Sequence, residues 1–83
     1  MDQITQGQSR QVRPLSSVPV GMTVRIHSVK AGHGLSRRLA AMGLLPGVEL
    51  TVLKHHPGGP TMIMAKVTRL ILGRGVADKV MVY

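Results

Sequence analysis

Apolar positions recur along this chain with two different periods. From Leu35 the period is helical: Leu35, Leu39 and Met42 fall at i, i+4 and i+7 and share one helical face. Gly43 follows as the left-handed residue past a helix end. Leu44 then stands where a Schellman motif takes an apolar contact back to Leu39. Leu45-Pro46-Gly47-Val48 has proline at i+1 and glycine at i+2, the arrangement of a type II turn. The spacing predicts a short helix with Arg37 and Arg38 at its N-terminus and Gly32-His33-Gly34 as the loop before it. Two cations at that end oppose the helix dipole, so packing must hold the helix and the arginines are expected to have another task.

Elsewhere the period is two. Thr23-Val24-Arg25-Ile26-His27 alternates as a half-buried strand, and Val48-Glu49-Leu50-Thr51-Val52 does so again with Val48, Leu50 and Val52 inward. His55-His56-Pro57-Gly58-Gly59-Pro60 is a breaker cluster long enough for a hairpin loop. Thr61 to Val67 reads as a third strand, Leu70-Ile71-Leu72 as a fourth, and Lys79-Val80-Met81-Val82 as a fifth. Residues 73–78 between the last two make a bend or a single helical turn. Residues 1–13, with four glutamines and almost nothing to bury, are expected to be a disordered lead-in. Residues 14–83 are then one domain. Five short strands and one small helix fit a small, closed or nearly closed barrel, which also removes exposed strand edges.

Composition narrows the chemistry. With one tyrosine and no phenylalanine or tryptophan, the core must be aliphatic. Met62 and Met64 alternate against Ile63, Ala65 and Val67, so one set faces outward. They either fill gaps in an uneven core or form an apolar patch for self-association or a partner. There is no cysteine, which excludes disulfides and thiolate metal sites and fits a cytoplasmic protein. No apolar run approaches the roughly 20 residues of a membrane span. Eleven Lys and Arg against three Asp and Glu give a formal charge of +8, suited to an acidic face or a polyanion. The cations are scattered, and the stacking aromatics of single-strand binders are missing.

Candidate chemistry is sparse. His55 and His56 are adjacent and point to opposite sides of an extended segment, and no acid neighbours any histidine in sequence, so solvent-exposed histidines are expected. Weak transition-metal binding is allowed; a required cofactor is not indicated. No pair of acids and no Ser–His–acid set offers catalysis, and a non-enzyme is expected.

From Leu15 to Tyr83 the chain resembles the FeoA family of bacterial ferrous iron transport. The similar positions are Leu15 with Val20-Gly21, Arg37-Arg38-Leu39, Met42-Gly43-Leu44, Pro46-Gly47, Pro60, and the closing Leu70, Leu72-Gly73-Arg74, Ala77 and Val80-Met81-Val82. The glycine common in the family between the third and fourth strands is missing at Thr68-Arg69, which implies a looser connection there. The resemblance implies a five-stranded SH3-like barrel over residues 14–83, the same barrel that ends iron-dependent repressors of the DtxR type. It also implies a cytoplasmic accessory to the transporter FeoB, peripheral to the membrane through that partner, with homo-oligomers allowed and no specific nucleic acid. Arg37, Arg38, Leu39, Met42 and Leu44 are the expected partner-binding residues; Gly43, Pro46 and Gly47 are the structural turn residues. Two other readings are a basic barrel holding nucleic acid non-specifically and a metal-binding regulatory module.

Overall fold

The computed structural model describes residues 11–83. Of the expected lead-in 1–13, residues 1–10 lie outside the described residues, and Arg13 is already in the sheet. The elements run β1 (Arg13–Pro14), a 3-10 turn (Leu15–Ser17), β2 (Thr23–Val29), α1 (His33–Ala41), β3 (Glu49–His55), β4 (Thr61–Ala65), β5 (Thr68–Leu72), α2 (Arg74–Ala77) and β6 (Val80–Val82). All ladders are antiparallel, in the order β1-β6-β2-β3-β4-β5. The two-residue β1 is a sixth strand beyond the five expected. Among the described residues the ladder is not closed, and β1 and β5 are its edges.

β2 serves both halves of this sheet. Thr23–Arg25 pair with Glu49–Thr51 of β3, and Ile26–Val29 pair with Val80–Val82 of β6. A register shift between Ile26 and Ser28 inserts His27 as an extra residue, which bends the strand between its two partners. Both backbone groups of Ile26 bond to the turn before β3, its N–H donating to the Val48 carbonyl and its carbonyl accepting from Gly47. A second shift between Val52 and Lys54 bends β3.

The alternation puts Val24, Ile26, Leu50, Val52, Ile63, Val80 and Val82 inside, joined by Leu15, Val18, Leu39, Leu44 and Leu72. Val48, expected inward, is half-buried against this core. Ile63 and Ala65 are the buried set of β4, and Met62 and Met64 lie half-buried on the outer face. Of the remaining methionines, Met22 and Met42 are exposed and Met81 is buried within β6.

The C-terminal stop of α1 has the expected mechanism. Gly43 has φ +86°, the Leu44 N–H donates to the Leu39 carbonyl at 2.8 Å, and the Gly43 N–H donates to Ala40 at 2.9 Å. Leu39 and Leu44 are both buried, which supplies the apolar contact of that motif. Gly47 has φ +89°, and the Val48 N–H donates to the Leu45 carbonyl at 3.0 Å, closing the turn.

Several element boundaries differ from the sequence expectation. β2 runs on to Val29, and β3 spans Glu49–His55 and so takes His55 from the expected hairpin loop. α1 starts at His33, with Gly32 in extended conformation as its N-cap. The glycines that read as a loop are an acceptable cap and a tolerated first-turn residue, because packing outweighs their weak propensity. Arg37 is therefore the middle residue of α1, and Arg38 is in the last turn, where the dipole favours a cation. The third strand ends at Ala65, not Val67, and the turn is Lys66-Val67, not Thr68-Arg69, which lie in β5. This two-residue connection is tight: Lys66 takes φ +58° where glycine would be unstrained. The last strand begins at Val80, because Lys79 is used in a turn bond to Val76.

Candidate functional site

α1 stands off the barrel with a groove on either side. Consecutive residues of a helix diverge by about 100°, so Arg37 and Arg38 face different grooves. The larger groove, about 440 Å³, lies between α1, the end of β2 and the turn after α1. Arg37, His33 and Ser36 line it from the helix, and Leu44, Leu45 and Pro46 from the turn. The smaller, about 110 Å³, lies between α1 and the end of β5, with Arg38 and Met42 facing Ile71 and Val76.

The expected partner residues are thus divided. Arg37 and Leu44 belong to the larger groove, and Arg38, Leu39 and Met42 to the smaller. Leu39 and Leu44 are each 2 % exposed, so their role is to seat α1 and its stop on the core. Arg37 and Arg38 are exposed, and Met42 is 42 % exposed because it is the C-cap, where the chain leaves the helical path. Sequence reasoning misses Leu45 and Ile71, both large, apolar and exposed beside these grooves. The signal for Ile71 is its alternation with Leu70 and Leu72. Leu45 reads as a turn residue alone.

Among the described residues no acidic side chain lines either groove. Glu49 is engaged elsewhere, 3.6 Å from Arg25 on an exposed strand pair, and Arg25 also donates to the Gly47 carbonyl at 3.0 Å. Both grooves are therefore apolar clefts with cationic rims.

The histidines are not all solvent-exposed. His55 is half-buried, and its Nε2 donates to the Val18 carbonyl at 2.6 Å, since a carbonyl can only accept. In the neutral ring Nδ1 then accepts from the buried Thr61 hydroxyl at 2.9 Å. His55 thereby ties β3 to the segment after β1. His27, on the β2 bulge, is hydrogen-bonded to Ser28 and meets the Tyr83 ring edge-on. Among the described residues no three His, Cys, Asp or Glu side chains converge on one point. No helix among them is long and apolar enough to cross a membrane.

Bent antiparallel strands around an aliphatic core, crossed by one short helix, define a small SH3-like barrel with flanking grooves. The FeoA domain matches residues 13–83, nearly the whole described chain. The chain belongs to the FeoA family, that of ferrous iron transport protein A. It is 36 % identical over 69 residues to a Methanocaldococcus jannaschii protein named Fe(2+) transport protein A, covering 83 % of each chain. A crystal structure of an iron uptake regulatory protein (FeoA) superposes with a TM-score of 0.80 at 38 % identity, covering 87 % of this chain and 96 % of that one. The solution structure of FeoA from Chlorobium tepidum gives 0.77 at 31 % identity, covering 84 % and 68 %. A manganese-dependent transcriptional repressor shares the fold, with a TM-score of 0.80 at 21 % identity over 88 % of this chain and 41 % of that one.

Proposed function

We propose that this chain is an accessory of ferrous iron uptake that binds the cytoplasmic region of a FeoB-type transporter and catalyses no reaction itself. The observation that carries this is the 440 Å³ cleft beside α1, apolar along its floor and edged by Arg37 and His33 with no acid in its lining. Such a cleft takes an apolar anchor from a partner surface that is itself acidic. Arg37 and Arg38 supply the charge, Met42 and Leu45 the apolar contact, and Leu39 and Leu44 hold the helix from beneath. No cofactor is needed for this task, and the chain works in the cytoplasm, at the membrane only through its partner.

The test pairs binding to the purified cytoplasmic region of the transporter with a thermal melt of the isolated chain. Replacing Arg37 and Arg38 together by Glu is expected to weaken binding about tenfold or more. Stability should fall slightly as well, because Arg38 complements the helix C-terminus. Unchanged binding by a normally stable variant would remove the arginines from the partner site.

A further inference from the structure

The two edges of the sheet are built differently. β1 is two residues long, and Pro14 has no N–H to offer an incoming strand. β5 is five residues long, contains no proline, and runs against β4 without a register shift from Ala65↔Thr68 to Thr61↔Leu72. Among the described residues β5 is paired on one side only.

The hairpin geometry says which groups face the free side. A two-residue turn makes the residues flanking it, Ala65 and Thr68, a hydrogen-bonded pair, and bonded and non-bonded pairs alternate from there. Ile63↔Leu70 and Thr61↔Leu72 are then bonded pairs, whereas Met64↔Arg69 and Met62↔Ile71 are not. The backbone N–H and C=O groups of Arg69 and Ile71 therefore point away from β4, at the open edge.

The surroundings specify what fits there. Ile71 is 64 % exposed and Val67, at the hairpin tip, is 95 % exposed. The 110 Å³ notch between Ile71 and Met42 offers room for one apolar side chain. Arg38 lines the notch, Lys66 sits in the turn before β5 and Arg69 within it, and no acid lines the notch.

We infer that the free edge of β5 receives an extended segment of a partner protein as an additional strand, a segment apolar at alternate positions and flanked by carboxylates. Backbone pairing with Arg69 and Ile71 supplies the affinity, and the cations select acidic flanks. A second copy of this chain fits poorly, since it would set Arg69 and Arg38 against their own counterparts on molecules of formal charge +8. The edge lies outside the larger cleft but shares Arg38 and Met42 with the proposed transporter surface, so the test follows the Arg69 and Ile71 amides, which that surface does not use.

The probe is a synthetic peptide, acetyl-DDVTVTVTDD-amide, added to the full chain while amide hydrogen exchange is followed residue by residue. Saturating peptide should slow the Arg69 and Ile71 amides by about tenfold or more and leave Leu70 and Leu72, already bonded to β4, unchanged. The same peptide with lysine for aspartate should bind much more weakly, and Arg69→Glu should reverse that preference. Ile71→Pro should abolish binding by removing an outward N–H; should that variant melt early, the Arg69→Glu reversal decides. Unchanged exchange at Arg69 and Ile71 in millimolar peptide overturns the inference, as does protection confined to Ser28 and Leu45 in the other cleft. Protection without peptide that grows with protein concentration assigns the edge to a second copy instead. Protection that disappears on deleting residues 1–10 assigns it to this chain's own N-terminal segment.

Discussion

At one edge of the sheet Arg13 and Pro14 lie against β6, Leu15 and Val18 are buried directly behind them, and His55 holds the Val18 carbonyl. At the other edge β5 presents Ile71 and Val67 to solvent and is backed by a notch that α1 only partly covers. The first edge contributes to stability, because its side chains complete the core. In the second, Leu72 is buried in the core, but the outward residue Ile71 contributes little, because it has little to pack against. Among the described residues the sheet therefore has one end fixed by burial and one end open to contact. Substitutions at the two ends can break that difference or measure it.

The largest effect is expected from equivalent truncations at the two edges. Leu15→Ala, at 0 % exposure, should lose about 2–5 kcal/mol of unfolding free energy. Ile71→Ala should stay within about 0.5 kcal/mol of the parent. Urea unfolding with an unchanged slope reads both, and comparable losses would mean that β5 is covered in solution. Next, His55→Ala removes two hydrogen bonds and leaves the Val18 carbonyl and the buried Thr61 hydroxyl without them, at a cost of about 1–3 kcal/mol. A change below about 0.5 kcal/mol would mean that water replaces the ring and that the fixed edge does not depend on this tie.

Gly43→Val tests the wall of the open side, since the left-handed stop aims Met42 and positions Arg38. No atom lies within 4 Å of an added Cβ, so the left-handed backbone sets the expected cost of about 1–2 kcal/mol. An unchanged thermal midpoint would place the helix stop elsewhere. The smallest effect belongs to Arg38→Glu: about 0.3–1 kcal/mol lost from the last turn of α1, easing as salt is added. A gain in stability instead would mean that the cation is strained against a neighbour.

Much of this architecture is legible in the order of residues alone. The alternation at Val24 and Ile26, at Leu50 and Val52, and at Leu70 and Leu72 marks the inward residues, because a strand face is set by neighbours two apart. The stop at Gly43 and the turn at Pro46-Gly47 are equally plain, since only a few residue types tolerate those backbone angles. The candidate site is legible in part. Arg37, Arg38 and Met42 border grooves, whereas Leu39 and Leu44 are core residues. Ile71 is marked by its alternation with Leu70 and Leu72, whereas Leu45 carries no local mark that separates exposure from burial.

By itself, then, the sequence determined the aliphatic core, the strand alternation, the Schellman stop and the type II turn. Each of these depends on residues within one turn or one hairpin. The tertiary structure alone decided that α1 begins at His33, that Arg38 lies at its C-terminal end, and that His55 reaches across to Val18. It also decided that Arg37 and Arg38 line different grooves and that, among the described residues, β5 is an open edge. These depend on contacts between segments far apart in the chain, where packing energy overrides weak local preferences.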